Sequence, residues 1–147
     1  PTSPGYTIFA TDEVDSNIFT KEKLLSHLVV LVSGRVAEEV FFEESVTTGA
    51  SKDFEQAKGL AEQMIVTYGM GKQSIYSYSS DKNKELIDNE VEDLLNEALT
   101  KSRLIITQCK ELMEELSTKL ISTNVLKREE VELKIYTKYP NLFKLDL

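Results

Sequence analysis

The chain has 147 residues, of which 41% are hydrophobic and 29% charged, and its formal net charge is -8. These values are typical of a single globular domain and exclude an intrinsically disordered chain. The longest apolar run, LLSHLVVLV at residues 24–32, is too short to cross a bilayer, and the basic residues form no cluster for a phosphate backbone, so we expect neither membrane insertion by this chain nor a nucleic-acid partner.

The first predicted element is a short strand at residues 4–11, where a Pro-Gly turn signal precedes β-branched and aromatic residues. A polar loop is expected after it. Thr20 fits the N-cap of a helix whose apolar residues keep helical spacing as far as Val40. Gly34 lies within this pattern at a cost of about 1 kcal/mol relative to alanine, which indicates a bend or a close helix contact.

The second helix is predicted from residue 51 to residue 68, with Gly69 as its stop. Its inner stripe, spaced by three and four residues, includes Ala57, Leu60 and Met64. Asp53 stands at the head of this stripe. An unpaired buried charge costs several kcal/mol or takes up a proton, so the carboxylate should have backbone amides, a cation or a metal as its partner.

Residues 71–83 are polar and are predicted to form a loop, with a possible strand at 74–78. From Glu85 the apolar residues again follow helical spacing as far as Leu120, with Ser102 as the one gap. A single rod of that length would measure about 58 Å, whereas a compact domain of this size has a radius of gyration of about 15 Å. We therefore expect a break near Thr107 or Cys109.

A turn is predicted at Thr123 and Asn124, followed by a short helix. Cys109 is the one cysteine, which rules out an internal disulfide, and its apolar neighbours indicate a buried thiol rather than a nucleophile. The prediction is one mostly α domain over residues 1–147. Its three parts are a strand and loop at 1–19, core helices with the Asp53 loop at 20–70, and C-terminal helices at 84–135.

Two segments resemble motifs of one protein family. SGRVAEEVFF at residues 33–42 resembles the Gly-Gly-Arg-x-Ala-Glu-Glu segment of the FtsH family of membrane-anchored, ATP-dependent zinc metalloproteases, and VTTGASKD at residues 46–53 resembles its Thr-Thr-Gly-Ala-x-x-Asp segment. The strand GYTIF and the C-terminal helices are also similar, so the resemblance covers residues 5–135. Ser33 departs from the family pattern, which has glycine there.

The resemblance implies the C-terminal part of an FtsH-type peptidase domain, mostly α with a short N-terminal β-strand and without the His-Glu-x-x-His helix. In the family, two histidines of that helix and the aspartate of the second segment hold zinc. The aspartate carries over to Asp53, whereas neither histidine does, because the one histidine of the chain, His27, lies where the family has no ligand. The resemblance thus implies no catalytic residue in this chain.

The resemblance also implies supporting residues. Thr47, Thr48 and Gly49 would form the loop that aims Asp53, with the hydroxyl groups capping the helix or contacting the carboxylate. Tyr6, Thr7 and Ile8 would form the edge strand on which the family lays an extended substrate, although such a strand can equally serve only to pack on the helices.

Simpler interpretations stand beside these. Asp53 can be a first-turn acid stabilised by free amides and the helix dipole. Arg35, Glu38 and Glu39 fit an ordinary ion-pair set on one helical face better than a catalytic group. His27 fits a partly exposed helical histidine better than a metal ligand or a proton carrier.

The function implied by the resemblance is part of a zinc metalloendopeptidase that degrades membrane and misfolded proteins as unfolded polypeptides. The parent would be a membrane-anchored homo-hexamer that contains zinc, is driven by ATP through an ATPase domain outside this chain, and has this soluble portion facing the bacterial cytoplasm or an organelle interior. This chain alone would be inactive. Two alternatives remain open: a non-catalytic helical assembly or binding module, and an accessory subunit that lends Asp53 to a histidine-bearing partner.

Overall fold

The computed structural model describes residues 18–43, 45–73 and 80–140. Helices account for most of these residues, and no strand occurs among them, which confirms the prediction of a mostly α fold. The elements are α1 (Lys21–Phe42), α2 (Ser51–Glu62), a π-helical turn (Gln63–Thr67), α3 (Asp81–Gln108), α4 (Lys110–Thr123) and α5 (Arg128–Lys138). The strands predicted at 4–11 and 74–78 lie outside the described residues.

Hydroxyl side chains cap the two longest helices. The backbone N–H of Lys23 donates to the Thr20 Oγ1 atom at 3.2 Å, which confirms Thr20 as the N-cap of α1. Ser80 caps α3 in the same way. Helix α1 continues through Gly34 as one element, and a Cβ atom added at Gly34 would lie 3.9 Å from the Cβ of Ala50, so this glycine faces the turn that precedes α2.

The core lies between α1, α2 with its π-helical turn, and α3. Leu28 and Val32 of α1 are completely buried, as are Ala57 and Met64 on the second element, and Leu94 of α3 is almost so. Complete burial of an aliphatic side chain of this size contributes about 1.5 to 3 kcal/mol relative to exposure. Most of the predicted inner stripes lie in this core, whereas Leu120, at the end of the last predicted stripe, is exposed.

The second predicted helix ends in a wider turn than the sequence indicated. Tyr68 donates its backbone N–H to the carbonyl of Gln63 at 3.0 Å, an i to i-5 bond that is characteristic of a π-helix. The wider turn keeps the adjacent residues Met64 and Ile65 both in the core. Gly69, at φ 63°, then ends the helix, as predicted.

Helices α3 and α4 meet at Cys109, which confirms the predicted break. Cys109 has φ -99° and ψ 14°, and its side chain is buried, as predicted for a thiol that is not a nucleophile. Burial raises the pKa of the Cys109 thiol. The thiol therefore stays protonated and unreactive at neutral pH.

Helices α4 and α5 form a hairpin around the predicted turn, with Asn124 in the left-handed region at φ 59°. Helix α5 has no buried residue. Charged contacts join the two helices: Lys119 pairs with Glu130, and Glu115 pairs with both Lys134 and Lys138. Half-buried ion pairs thus join α5 to α4. No helix in the described part of the chain is long and apolar enough to cross a bilayer.

Candidate functional site

The candidate site is the turn between α1 and α2, which carries the Thr-Thr-Gly-Ala segment. Glu43 ends α1 in a positive-φ conformation at 53°. The backbone N–H of Ser45 donates to the carbonyl of Phe42 at 3.0 Å, and that of Ser51 donates to the carbonyl of Thr48 at 3.1 Å. One bond thus follows the end of α1, and the other precedes α2, which begins at Ser51.

Glu38 on α1 binds this turn through both oxygen atoms of its carboxylate. The backbone N–H of Thr47 donates to Glu38 Oε2 at 2.7 Å, and the Thr47 hydroxyl donates to Glu38 Oε1 at 2.6 Å. The Thr47 hydroxyl oxygen in turn accepts the backbone N–H of Gly49 at 3.1 Å. We call these three bonds the Glu38–Thr47–Gly49 relay. The relay connects the frame of α1 to the loop that leads into α2.

The charge of Glu38 is stabilised by the relay. The hydrogen bonds from the side chain and backbone of Thr47 lower the pKa of Glu38 below 4.5, with a smaller contribution from Arg35 and an opposing effect of burial. Glu38 is therefore ionised at neutral pH. Its two oxygen atoms then serve as acceptors, which is the form that the relay requires.

The neighbouring acid on α1 has a different partner. Glu39 accepts from Arg35 Nε at 2.9 Å and also pairs with Arg103 on α3. These contacts lower the pKa of Glu39, with the Arg35 hydrogen bond as the largest cause. The predicted ion-pair set is thus right for Arg35 and Glu39, whereas Glu38 binds the turn.

Asp53 lies in the first turn of α2 and is exposed, so it is not the buried head of a core stripe as the spacing suggested. The stripe enters the core only at Ala57. Within the described residues, no hydrogen bond or ion pair engages the Asp53 carboxylate. It lies in the first turn of the helix, where backbone N–H groups have no intrahelical acceptor.

The hydroxyl groups of the turn do not cap α2. Its N-cap is Ala50, which makes no side-chain hydrogen bond, and the Thr47 hydroxyl is committed to Glu38 and Gly49. Thr48 contributes its backbone carbonyl to the turn. Sequence reasoning placed Thr47, Thr48 and Gly49 in one loop with Asp53, but it did not identify Glu38 as the side chain that binds that loop.

The structure shows less about the other predicted site residues. His27 is exposed on α1, one turn ahead of Leu31. Tyr6, Thr7 and Ile8 lie outside the described residues.

A hydrolytic zinc centre needs three protein ligands and an open position for water. Among the described residues, no three His, Cys, Asp or Glu side chains form a group that could hold a metal ion. These described residues therefore do not assemble a three-ligand zinc site by themselves, and the exposed carboxylate of Asp53 has the chemistry of one zinc ligand.

A family model for peptidase family M41 matches residues 2–133 of the chain. The chain is similar to the ATP-dependent zinc metalloprotease FtsH 3 of Sphaerobacter thermophilus, with 38% identity over 128 residues, 83% of this chain and 26% of the relative. It is also similar to the ATP-dependent zinc metalloprotease FtsH of Streptococcus pneumoniae, with 38% identity over 144 residues, 87% of this chain and 21% of the relative.

A third relative, the ATP-dependent zinc metalloprotease FtsH of Clostridium perfringens, is 30% identical over 158 aligned positions, which cover 97% of this chain and 22% of the relative. The chain thus spans between about a fifth and about a quarter of the length of these relatives. The similarity includes the turn with the Glu38–Thr47–Gly49 relay and the start of α2.

Proposed function

Because the chain belongs to peptidase family M41, we propose that it supplies the aspartate ligand, Asp53, and the helical frame of a zinc endopeptidase site. The observation that carries this proposal is the exposed Asp53 carboxylate in the first turn of α2, directly after a turn bound to α1. An exposed carboxylate without a partner in the described residues is available to a ligand. The zinc-protease names of the relatives support zinc as that ligand.

The other two ligands would be the histidines of a His-Glu-x-x-His helix on the longer polypeptide or on a partner chain. When bound, zinc supplies Lewis acidity and an activated water for peptide hydrolysis. The part that we assign to this chain is to hold one carboxylate in place. By itself the chain would be inactive.

We extend the proposal to the whole protein from the names of the relatives and from the resemblance of the motifs. It would use ATP through a separate domain, act as a hexamer, and degrade unfolded, membrane and misfolded proteins. This portion would face the bacterial cytoplasm or an organelle interior. Tyr6, Thr7 and Ile8 would bind the substrate main chain as an edge strand, whose backbone hydrogen bonds are largely independent of substrate sequence.

A chimera tests the proposal. The aligned part of this chain, 87% of it, replaces the matching stretch of the Streptococcus pneumoniae relative. Zinc affinity is measured by competition with a chromophoric chelator alongside ATP-dependent degradation of an unfolded protein. Asp53→Asn should abolish degradation and weaken zinc binding by more than the roughly 10- to 100-fold that loss of an outer hydrogen-bond partner costs. Glu55→Gln, which changes another exposed acid on α2, is the matched control. Unchanged zinc affinity in Asp53→Asn would refute the proposal.

The alternative is a non-catalytic assembly or binding module, and one observation favours it. Large apolar side chains are exposed on the α4–α5 hairpin: Leu120, Ile121, Val125, Leu133 and Tyr136. Such a surface is typical of an interaction site. Under this alternative, Ile121→Glu would change the sedimentation of the chain, while Asp53→Asn would change neither its sedimentation nor the zinc affinity of the chimera.

A further inference from the structure

One side chain that binds the α1–α2 turn lies outside the segment that carries the proposed metal ligand. Glu38 lies on α1, fifteen residues before Asp53 in the numbering, and it binds the turn through both carboxylate oxygens. Because both oxygens are engaged by Thr47, Glu38 acts on the loop and not directly on a bound group.

Without Glu38, two donors of the turn would have no acceptor from α1. The Thr47 N–H and hydroxyl both donate to the Glu38 carboxylate. The Thr47 hydroxyl oxygen also accepts the Gly49 N–H, so the position of Gly49 depends on the same side chain. Ser51 then bonds back to Thr48, and the first helical bond of α2 runs from Phe54 to Ala50. A series of hydrogen bonds therefore leads from α1 through the turn to the first turn of helix, which carries Asp53.

Gly49 fits the same arrangement. A Cβ atom there would lie 3.1 Å from the Thr47 Oγ1 atom and 3.6 Å from Glu38 Oε1, so a side chain would press on the relay itself. Ala50, the N-cap of α2, makes no side-chain hydrogen bond that could replace the relay. The start of α2 is thus fixed from α1 and not by its own cap.

We infer that Glu38 is a positioning residue for Asp53: through Thr47 and Gly49 it fixes the turn that sets where the Asp53 carboxylate enters the site. This inference rests on the proposed function of Asp53. It adds a residue that makes no contact with the metal and acts through hydrogen bonds to the loop. Groups with this role hold the ligands of metal sites in the geometry that the metal requires.

The first test uses the full chain and NMR. In the wild type the Thr47 amide should exchange slowly with solvent, and its chemical shift should follow an acid titration with a midpoint below 4.5. Glu38→Ala should accelerate exchange of that amide about tenfold or more, and Glu38→Gln, which keeps one acceptor oxygen, should lie between the two. Glu39→Ala is the matched control, because Glu39 binds Arg35 and Arg103 and no atom of the turn.

Thr47→Val supplies a second variant in case Glu38→Ala does not fold. It removes the hydroxyl and leaves the backbone bond to Glu38, so the Gly49 amide should lose protection while the Thr47 amide keeps it. A wild-type Thr47 amide that exchanges at the rate of an unfolded chain, or that ignores the acid titration, would overturn the inference.

The second test places the same variants in the chimera and measures zinc affinity. Glu38→Ala should weaken zinc binding by about 10- to 100-fold, with Glu38→Gln intermediate and Glu39→Ala equal to the wild type. If Asp53→Asn leaves the affinity unchanged, the proposed function fails. If Asp53→Asn weakens it and Glu38→Ala matches the wild type, the positioning inference alone is overturned.

Discussion

The carboxylate of Glu90 on α3 accepts a hydrogen bond from the backbone N–H of Lys72 at 2.7 Å. Only 4% of Glu90 is exposed, which makes it the one buried acid in the part of the chain that the structure describes. Lys72 also pairs through its Nζ atom with Asp93 at 2.9 Å. Together these contacts fix the segment after the π-helical turn to α3.

Loss of the buried Glu90 carboxylate should destabilise the fold. Glu90→Ala is expected to lower the free energy of unfolding by about 1.5 to 3 kcal/mol, because it removes the hydrogen bond that the almost fully buried carboxylate accepts from the Lys72 backbone. Urea denaturation followed by circular dichroism measures this change. Glu92→Ala removes an exposed acid from the same helix and is the control. Equal midpoints for the two variants would contradict the role of Glu90.

Replacement of Ser102 should stabilise the protein. The Ser102 hydroxyl is buried on α3, with 1% of the residue exposed, and it has no hydrogen-bond partner among the described residues. Ser102→Ala is expected to raise the free energy of unfolding by about 1 kcal/mol, because a buried unpaired hydroxyl carries a desolvation cost. Ser117→Ala, at an exposed position of α4, measures the effect of helix propensity alone. A destabilised Ser102→Ala variant would show that the hydroxyl has a partner.

Gly49, just before α2, and Gly59, within α2, should respond oppositely to alanine. A Cβ atom at Gly59 meets nothing within 4 Å, so Gly59→Ala should raise the free energy of unfolding by about 1 kcal/mol through helix propensity. At Gly49 the added methyl group would press on the Thr47 hydroxyl, so Gly49→Ala should lower the melting temperature. Thermal denaturation of both variants measures the signs. A stabilised Gly49→Ala variant would show that the turn tolerates the methyl group without strain.

The α4–α5 hairpin should loosen in acid and in salt. The hydrogen bonds from Lys134 and Lys138 lower the pKa of Glu115 from 4.5 to about 2, with the Lys134 bond as the larger cause. Because the folded-state pKa lies below the unfolded value, the contribution of Glu115 is complete above about pH 4.5 and is lost as the pH falls toward about 2. High salt should have a similar effect, because charge pairs that solvent can reach are screened.

Amide exchange of α5 measures this loosening. In the wild type, we expect fast amide exchange of α5 only in acid or at 1 M salt, where charges are screened beyond about 3 Å. Glu115→Gln should show the same fast exchange at neutral pH and low salt. Glu114→Gln changes the adjacent exposed acid on α4 and should leave exchange unchanged. Slow exchange of α5 in Glu115→Gln at neutral pH would mean that apolar contacts, and not these charges, hold the hairpin.

Several local features of the fold could be predicted because each depends on residues close together in the chain. Thr20 caps α1, Gly69 stops the second helix, the chain bends at Cys109, and Asn124 turns it toward α5. The motif at 46–53 also placed Asp53 on the first turn of a helix. The family match is consistent with that motif.

The sequence by itself determined where the helices lie, most of their ends and most of their inner faces, since helical periodicity and capping are local properties. Only the tertiary structure decided which side chains meet. It paired Glu38 with the Thr47 turn and Glu39 with Arg103, buried Ser102 with no hydrogen-bond partner in the part of the chain that is described, and left Asp53 exposed. The physical reason is that periodicity indicates which face of a helix is apolar, whereas the partner of a polar side chain depends on which other element packs nearby. Two adjacent glutamates on one helix can therefore have different roles.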